Sequence, residues 1–213
     1  MPPAWRNTLR AGALLGLFAV AGTGLVAFVH GHTQARIAAN ERAVLLRELH
    51  AILPDSLYDN NLANSRIMLH SPELGAHAGE GLPAYLATKD GRPSAIVFTV
   101  VAPDGYGGPI KLLVGIDARG VITGVRVISH QETPGLGDWI DTRHSDWIYG
   151  FTGHSLHDPP LSRWAVKRDG GDFDQFTGAT ITPRAVVGAI RRTLLYFDAH
   201  RDQLFAQVPA QTP

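Results

Sequence analysis

The run from Ala11 to Val29 constrains this chain more than any other feature, because it holds no charged residue and is rich in Leu, Ala, Val, Phe and Gly. A helix rising about 1.5 Å per residue needs ~20 such residues to cross a bilayer core, and the run comes close to that length. Trp5, Arg6 and Arg10 precede it, as an interfacial aromatic and a positive flank should. A cleaved signal peptide is the rival reading, with Ala19-Val20-Ala21 as its cleavage box. The apolar stretch continues past that box and exceeds an ordinary h-region, so an uncleaved anchor is expected. A buried core helix suits this position and length less well. Arg36, Arg42 and Arg47 follow the segment and offset the positive-inside argument, leaving its orientation open.

At 213 residues the chain has room for such an anchor and one soluble domain of ordinary size. Its 19 basic and 19 acidic residues balance, which gives no electrostatic case for nucleic acid. Cysteine is absent, and with it disulfides, thiolate iron–sulfur ligation, cysteinyl flavin attachment and cysteine nucleophiles. Histidine pairs such as His30/His32 and His154/His157 lack the helical spacing with a nearby carboxylate that a metal site uses, so no metal is expected.

Thr33 to Leu53 reads as a helix with Ile37, Val44, Leu45, Leu49 and Ile52 on one stripe, ended by Pro54 and Asp55. Ala84–Thr88 and Ala95–Val101, joined by a Lys89–Arg92 turn, form a hairpin pattern. Lys111–Ile116 and Val121–Ile128 make a second pair around Asp117–Gly120. Paired strands with short turns predict an antiparallel or mixed sheet in an α+β domain. Asp138–Tyr149 reads as a short helix with Trp139, Ile140, Trp147 and Ile148 inward, and Arg163–Lys167 as a short strand. Beyond Pro183, apolar residues Val186, Val187, Ile190, Leu194 and Phe197 recur at helical spacing, with Arg184, Arg191 and Arg192 on a solvated face. The expected organisation is a flank over 1–10, an anchor over 11–31, a juxtamembrane helix over 32–56 and one globular domain over 57–213.

Two stretches carry chemistry. In Asp174-Gln175-Phe176-Thr177-Gly178-Ala179-Thr180, two hydroxyls and a glycine precede a helix N-terminus, where free N–H groups and the helix dipole suit a phosphate. A threonine hydroxyl there can also form a phosphoester. The plainer reading makes Thr182 the helix cap, with Pro183 in the first turn. In Glu132-Thr133-Pro134-Gly135-Leu136-Gly137, a forced turn and two glycines let another backbone or a flat ligand approach closely, although the same residues suit an ordinary connection. Gly135-Leu136-Gly137 lacks the rest of a dinucleotide fingerprint.

Three motifs occur in order: Gly105-Tyr106-Gly107-Gly108-Pro109-Ile110, His130-x-Glu132-Thr133-Pro134-Gly135-Leu136-Gly137, and Asp174-x-x-Thr177-Gly178-Ala179-Thr180. Together they resemble the FMN-binding domain shared by the RnfG protein of the Rnf (Rsx) electron-transport complex and the NqrC protein of the sodium-translocating NADH:quinone oxidoreductase. The length of the chain and Leu112–Asp117 look more like RnfG. The resemblance implies FMN held by a phosphoester to Thr180 and installed from FAD by an ApbE-type flavin transferase. Asp174, Thr177, Gly178 and Ala179 would complete the signature that the transferase reads. Thr177 stands where many relatives have Ser, which keeps the hydroxyl. Glu132, Thr133 and Leu136 are expected beside the flavin ring, with Tyr106 and Lys167 as weaker candidates.

The same resemblance implies a membrane-anchored electron carrier of the bacterial inner membrane, single-pass, with its domain on the periplasmic side. Its partners would be the other membrane, iron–sulfur and flavin subunits of an ion-translocating complex. The alternatives are the NqrC role and a membrane-tethered flavin-binding sensory domain.

Overall fold

The computed structural model describes residues 4–77 and 79–207, without the side chains of residues 4, 6–8 and 34–42. It comprises two compact units, Met1–Leu45 and Leu46–Pro213. Helix α1 (Ala4–Ile52) takes in the apolar run and the amphipathic stretch after it. Leu9–Thr33 has a mean hydropathy of 2.1 in its most apolar window, none of which is buried, and among the described residues it alone is long and apolar enough to cross a membrane. Of the expected stripe, Leu49 and Ile52 are buried, Val44 is half exposed, and the Ile37 side chain lies outside the described residues.

Five strands build the second unit: β1 (Arg66–Leu69), β2 (Leu82–Lys89), β3 (Arg92–Ala102), β4 (Ile110–Asp117) and β5 (Ile122–Ser129). They pair antiparallel in sequence order, so each connection is a turn or loop between neighbours. The strands read as nearly continuous apolar runs because both faces of the sheet are covered. On one face, Leu86, Ile96, Phe98, Val100, Leu112 and Val114 meet the apolar side of α2 (Ile181–Phe205). Val186, Val187, Ile190, Leu194 and Phe197 are all buried there, as their spacing predicts. Each such side chain contributes roughly 1.5–3 kcal/mol relative to exposure.

The other face receives the end of α1. Gly115 and Gly124 are register partners on β4 and β5, and both pack against Ile52, where a Cβ would stand 2.4 Å from its side chain and 3.1 Å from its backbone, respectively. Arg126 Nη2 donates to the Ala51 carbonyl at 3.3 Å, satisfying one of the orphan carbonyls at the helix terminus. Asn60 finishes β2 where the short β1 stops: its Nδ2 donates to the Leu86 carbonyl and its Oδ1 accepts from the Thr88 N–H, each at 2.9 Å. β1 itself escaped the sequence reading, because four residues are too few to establish an alternating pattern.

Two further expectations are corrected. Asp138–Tyr149 is not one helix but two short 3-10 turns, Gly137–Ile140 and Trp147–Phe151. Between them the Asp141 carboxylate accepts the Arg143 N–H at 2.9 Å, a local side-chain bond that competes with helix. Ile140 and Ile148 are buried as expected, whereas Trp139 is 48% exposed. Arg163–Lys167 is likewise no strand. Leu161–Arg163 and Lys167–Asp169 are 3-10 turns, and only an isolated bridge joins Val166 to Phe173. Gly171 lies against the Ala165 backbone, folding the segment back before a ladder can extend.

Candidate functional site

Three segments converge at one end of the sheet: the β3–β4 loop, the chain leaving β5, and the start of α2. Glu132 ties them together. Its Oε1 accepts the Gly107 N–H at 3.1 Å and its Oε2 accepts the Thr182 hydroxyl at 2.5 Å, with the carboxylate buried. A Cβ on Gly137 would stand 2.7 Å from Glu132 Oε2 and 2.8 Å from Thr182 Oγ1, so glycine is required for this closeness. Gly107 is similarly pressed against the Gln131 carbonyl. Gly105 and Gly107 of the first motif therefore serve the approach of backbone to backbone, and Gly137 of the second that of backbone to the Glu132 and Thr182 side chains.

The convergence leaves an open cleft of about 260 Å³. Tyr106, Glu132, Thr133, Leu136 and Gly137 form one side of it, and the segment from Gly178 to Thr182 forms the other. Tyr106, Leu136 and Ile181 are substantially exposed and supply its apolar surface. Of the residues singled out in the sequence, Thr180, Gly178, Ala179, Glu132, Thr133, Leu136 and Tyr106 meet here. Asp174, Thr177 and Lys167 lie outside the lining.

The two threonines at the start of α2 have different commitments. Thr182 is not the cap: it is the second residue of the helix, fully buried, with its hydroxyl bound to Glu132. Thr180 occupies the cap position in an αR backbone conformation and makes no side-chain capping bond. Thr180 lines the cleft, and Arg168 Nη1 lies 3.5 Å from its hydroxyl oxygen. The first-turn N–H groups of Ile181 and Thr182 have no partner inside the helix, and Pro183 has none to satisfy.

The loop before Thr180 is held from outside the cleft. Lys167 Nζ pairs with Asp174 Oδ1 at 2.6 Å. Arg184 forks onto Asp169 at 2.6 and 2.8 Å, and this guanidinium holds the Asp169 carboxyl below its ordinary range. Phe176 packs against Trp139 and Trp147, and the Trp147 indole N–H donates to the Asp174 carbonyl at 2.9 Å. On the β5 side, the Arg143 guanidinium bonded to Asp141 lowers that carboxyl, with burial opposing the shift. Among the described residues, no group of three or more His, Cys, Asp or Glu could hold a metal ion.

Arg168 is the site residue that the sequence reading missed. The charged triplet Lys167-Arg168-Asp169 before Gly170-Gly171 was its only trace. The expected solvated face of α2 also needs correction at Arg192, which is half-buried, and burial lowers its pKa.

Residues 105–195 match the model of an FMN-binding domain, and residues 1–52 match that of the RnfG N-terminal region. The G subunit of the ion-translocating oxidoreductase complex of Shewanella loihica is 51% identical over 93% of both chains. Its counterpart in Pseudomonas aeruginosa is 52% identical over 94% of both. The chain belongs to the RnfG family of ion-translocating oxidoreductase complexes. As a member of that family, it unites an N-terminal helix long and apolar enough to cross a membrane with an FMN-binding domain in one α+β chain. A crystal structure of the C subunit of the Na(+)-translocating NADH-quinone reductase from Parabacteroides distasonis superposes with a TM-score of 0.42. Its identity is 23%, over 62% of this RnfG-family chain and 65% of that chain.

Proposed function

We propose that this RnfG-family protein relays electrons through FMN carried as a phosphoester on Thr180, within an ion-translocating membrane complex. The observation that carries the reading is the contrast between the two threonines. Thr180 has a hydroxyl with no capping bond beside the cleft, whereas Thr182 has spent its hydroxyl on Glu132.

The residues fit the group. Leu136, Tyr106 and Ile181 offer apolar surface for a planar ring, and the first turn of α2 offers N–H groups and a positive dipole end to phosphate. Gly178 adopts φ +83° and leaves the way to Thr180 open, since a Cβ there would meet only Leu136, at 3.6 Å. Bound FMN supplies one- and two-electron redox chemistry, and the protein sets its position and surroundings. In attachment, the Thr180 oxygen bonds to the phosphorus of the FMN half of FAD. The pyrophosphate P–O bond breaks, AMP leaves, and the hydroxyl proton passes to a base on an ApbE-type transferase. Asp174 and Thr177, outside the cleft, would face that transferase.

On this reading, residues 1–10 are cytoplasmic, 11–31 span the bacterial inner membrane, 32–56 lead away from it and 57–213 form the periplasmic domain. The remaining membrane, iron–sulfur and flavin subunits of the complex would be its partners. Co-expression with a flavin transferase tests the proposal. The wild type should give a fluorescent band that survives SDS and a mass gain of one FMN less one water. Thr180→Ala should lose both, and retained fluorescence in that variant would overturn the attachment site.

A further inference from the structure

We infer that Arg168 is the cationic half of the phosphoester site: its guanidinium holds the negative charge placed on Thr180 when FMN is attached. The inference rests on the attachment proposed above and concerns a residue outside the sequence signature.

The charge arithmetic of the 167–169 turn points to it. Three consecutive charged residues occupy that turn, and two of them are neutralised by partners on neighbouring segments. Lys167 is paired with Asp174 in the loop, and Asp169 with Arg184 in the first turn of α2. Those two pairs fix the turn against both segments that meet at Thr180. Arg168 stands between them and, among the described residues, makes no ion pair. Its backbone N–H donates to Gln175 Oε1 at 3.1 Å, which adds a third tie between turn and loop. With the turn tied to its neighbours at three points, the guanidinium extends to within 3.5 Å of Thr180 Oγ1. A neutral hydroxyl has modest use for a full positive charge at that distance. A phosphodiester on the same oxygen keeps one negative charge, and a guanidinium presents several N–H donors to it.

The local fold is arranged for this reach. Gly170 ends the turn in the left-handed region at φ +86°, and the chain doubles back so that Phe173 bridges to Val166. The turn and the loop thereby lie side by side although Thr180 comes 12 positions after Arg168. The dipole end of α2 and Arg168 then address the same group from two directions, the first by partial charge and the second by a full one.

The test uses the full-length chain co-expressed with a flavin transferase, comparing wild type, Arg168→Lys, Arg168→Gln and Arg168→Ala. The fraction of chain carrying the FMN mass increment is followed over time at limiting transferase. The unfolding temperature is measured for flavinylated and flavin-free forms at low and high salt. Arg168→Ala and Arg168→Gln should slow attachment by roughly threefold to tenfold, and Arg168→Lys should keep most of the wild-type rate. The gain in unfolding temperature on attachment should shrink with added salt in the wild type and be smaller and less salt-sensitive in Arg168→Ala. Attachment and stabilisation in Arg168→Ala indistinguishable from wild type would overturn the inference. So would equal losses in the Lys and Ala variants with no salt dependence, which would assign the effect to packing of the turn. A labelled wild type with an indifferent Arg168→Ala removes this inference alone. A wild type that never gains the increment removes the attachment reading as well.

Discussion

Gly124 lies directly against Ile52: a Cβ on Gly124 would stand 3.1 Å from both Ile52 Cα and the Ile52 carbonyl oxygen, closer than an ordinary contact. The residue opposite it in the ladder, Gly115, is closed more tightly, since a Cβ there would stand 2.4 Å from both Ile52 Cγ2 and Thr123 Oγ1. Two glycines on adjacent strands thus form a notch for the last turn of α1. Gly124→Val should lower the stability of the second unit by about 1–3 kcal/mol, the usual cost of overpacking. Ile52→Ala should cost about 2–5 kcal/mol by leaving the notch unfilled. Urea unfolding of the purified chain measures both, and an unchanged midpoint in either variant would refute the packing described.

Glu132 makes a second prediction, directed at the cleft. Thr182→Val leaves one carboxylate oxygen buried without its donor, which should destabilise the domain by about 1–3 kcal/mol. Glu132→Gln keeps the size and one acceptor and should cost less. The comparison is made on flavin-free protein by thermal unfolding. If Thr182→Val were as stable as wild type, the bond would have no structural weight.

Leu136 and Glu132 should also be felt by the cofactor on the proposed reading. Leu136→Ala or Glu132→Gln is expected to shift the visible spectrum or the midpoint potential while the mass increment persists. A spectrum and potential unchanged in both variants would exclude this side of the cleft from the ring environment.

Acid should weaken the segment after Gly137. The folded-state carboxyl of Asp141 lies below its unfolded value, chiefly through its hydrogen bonds to Arg143. A depressed carboxylate contributes stability that is complete above the unfolded value, about pH 4, and that disappears as pH falls through the lower folded value. Arg143→Ala should therefore reduce stability at neutral pH and flatten its decline below about pH 4. Thermal unfolding across the acid range up to neutral pH reads this directly. A decline in the variant as steep as that of the wild type would discount the pair.

The sequence made the long elements legible and the short ones obscure, for physical reasons. β2 to β5 and α2 each bury enough periodic apolar residues to announce themselves, and Val186 to Phe197 lie where their spacing puts them. Asp138–Tyr149 misled because its apolar residues sit at helical intervals while Asp141 diverts the backbone through local bonds. The cleft was legible as motifs, since Glu132, Leu136 and Thr180 do converge. The roles of Thr182 and Arg168 were hidden, because each depends on a partner remote in the chain: Glu132 for the first and Thr180 for the second.

The commitment of Thr182 to Glu132 has a consequence for regiochemistry. Two secondary alcohols of identical intrinsic reactivity stand two residues apart, and an enzyme attaching a phosphoryl group to one must somehow leave the other alone. On the proposed attachment reading, the fold withdraws Thr182 from that choice before any enzyme arrives. The Thr182 hydroxyl donates to Glu132 and is fully buried, so burial masks it as a protecting group masks an alcohol in synthesis. A transferase acting here has only to tell Thr180 from the exposed Thr177 of its own signature, because Thr182 is out of reach.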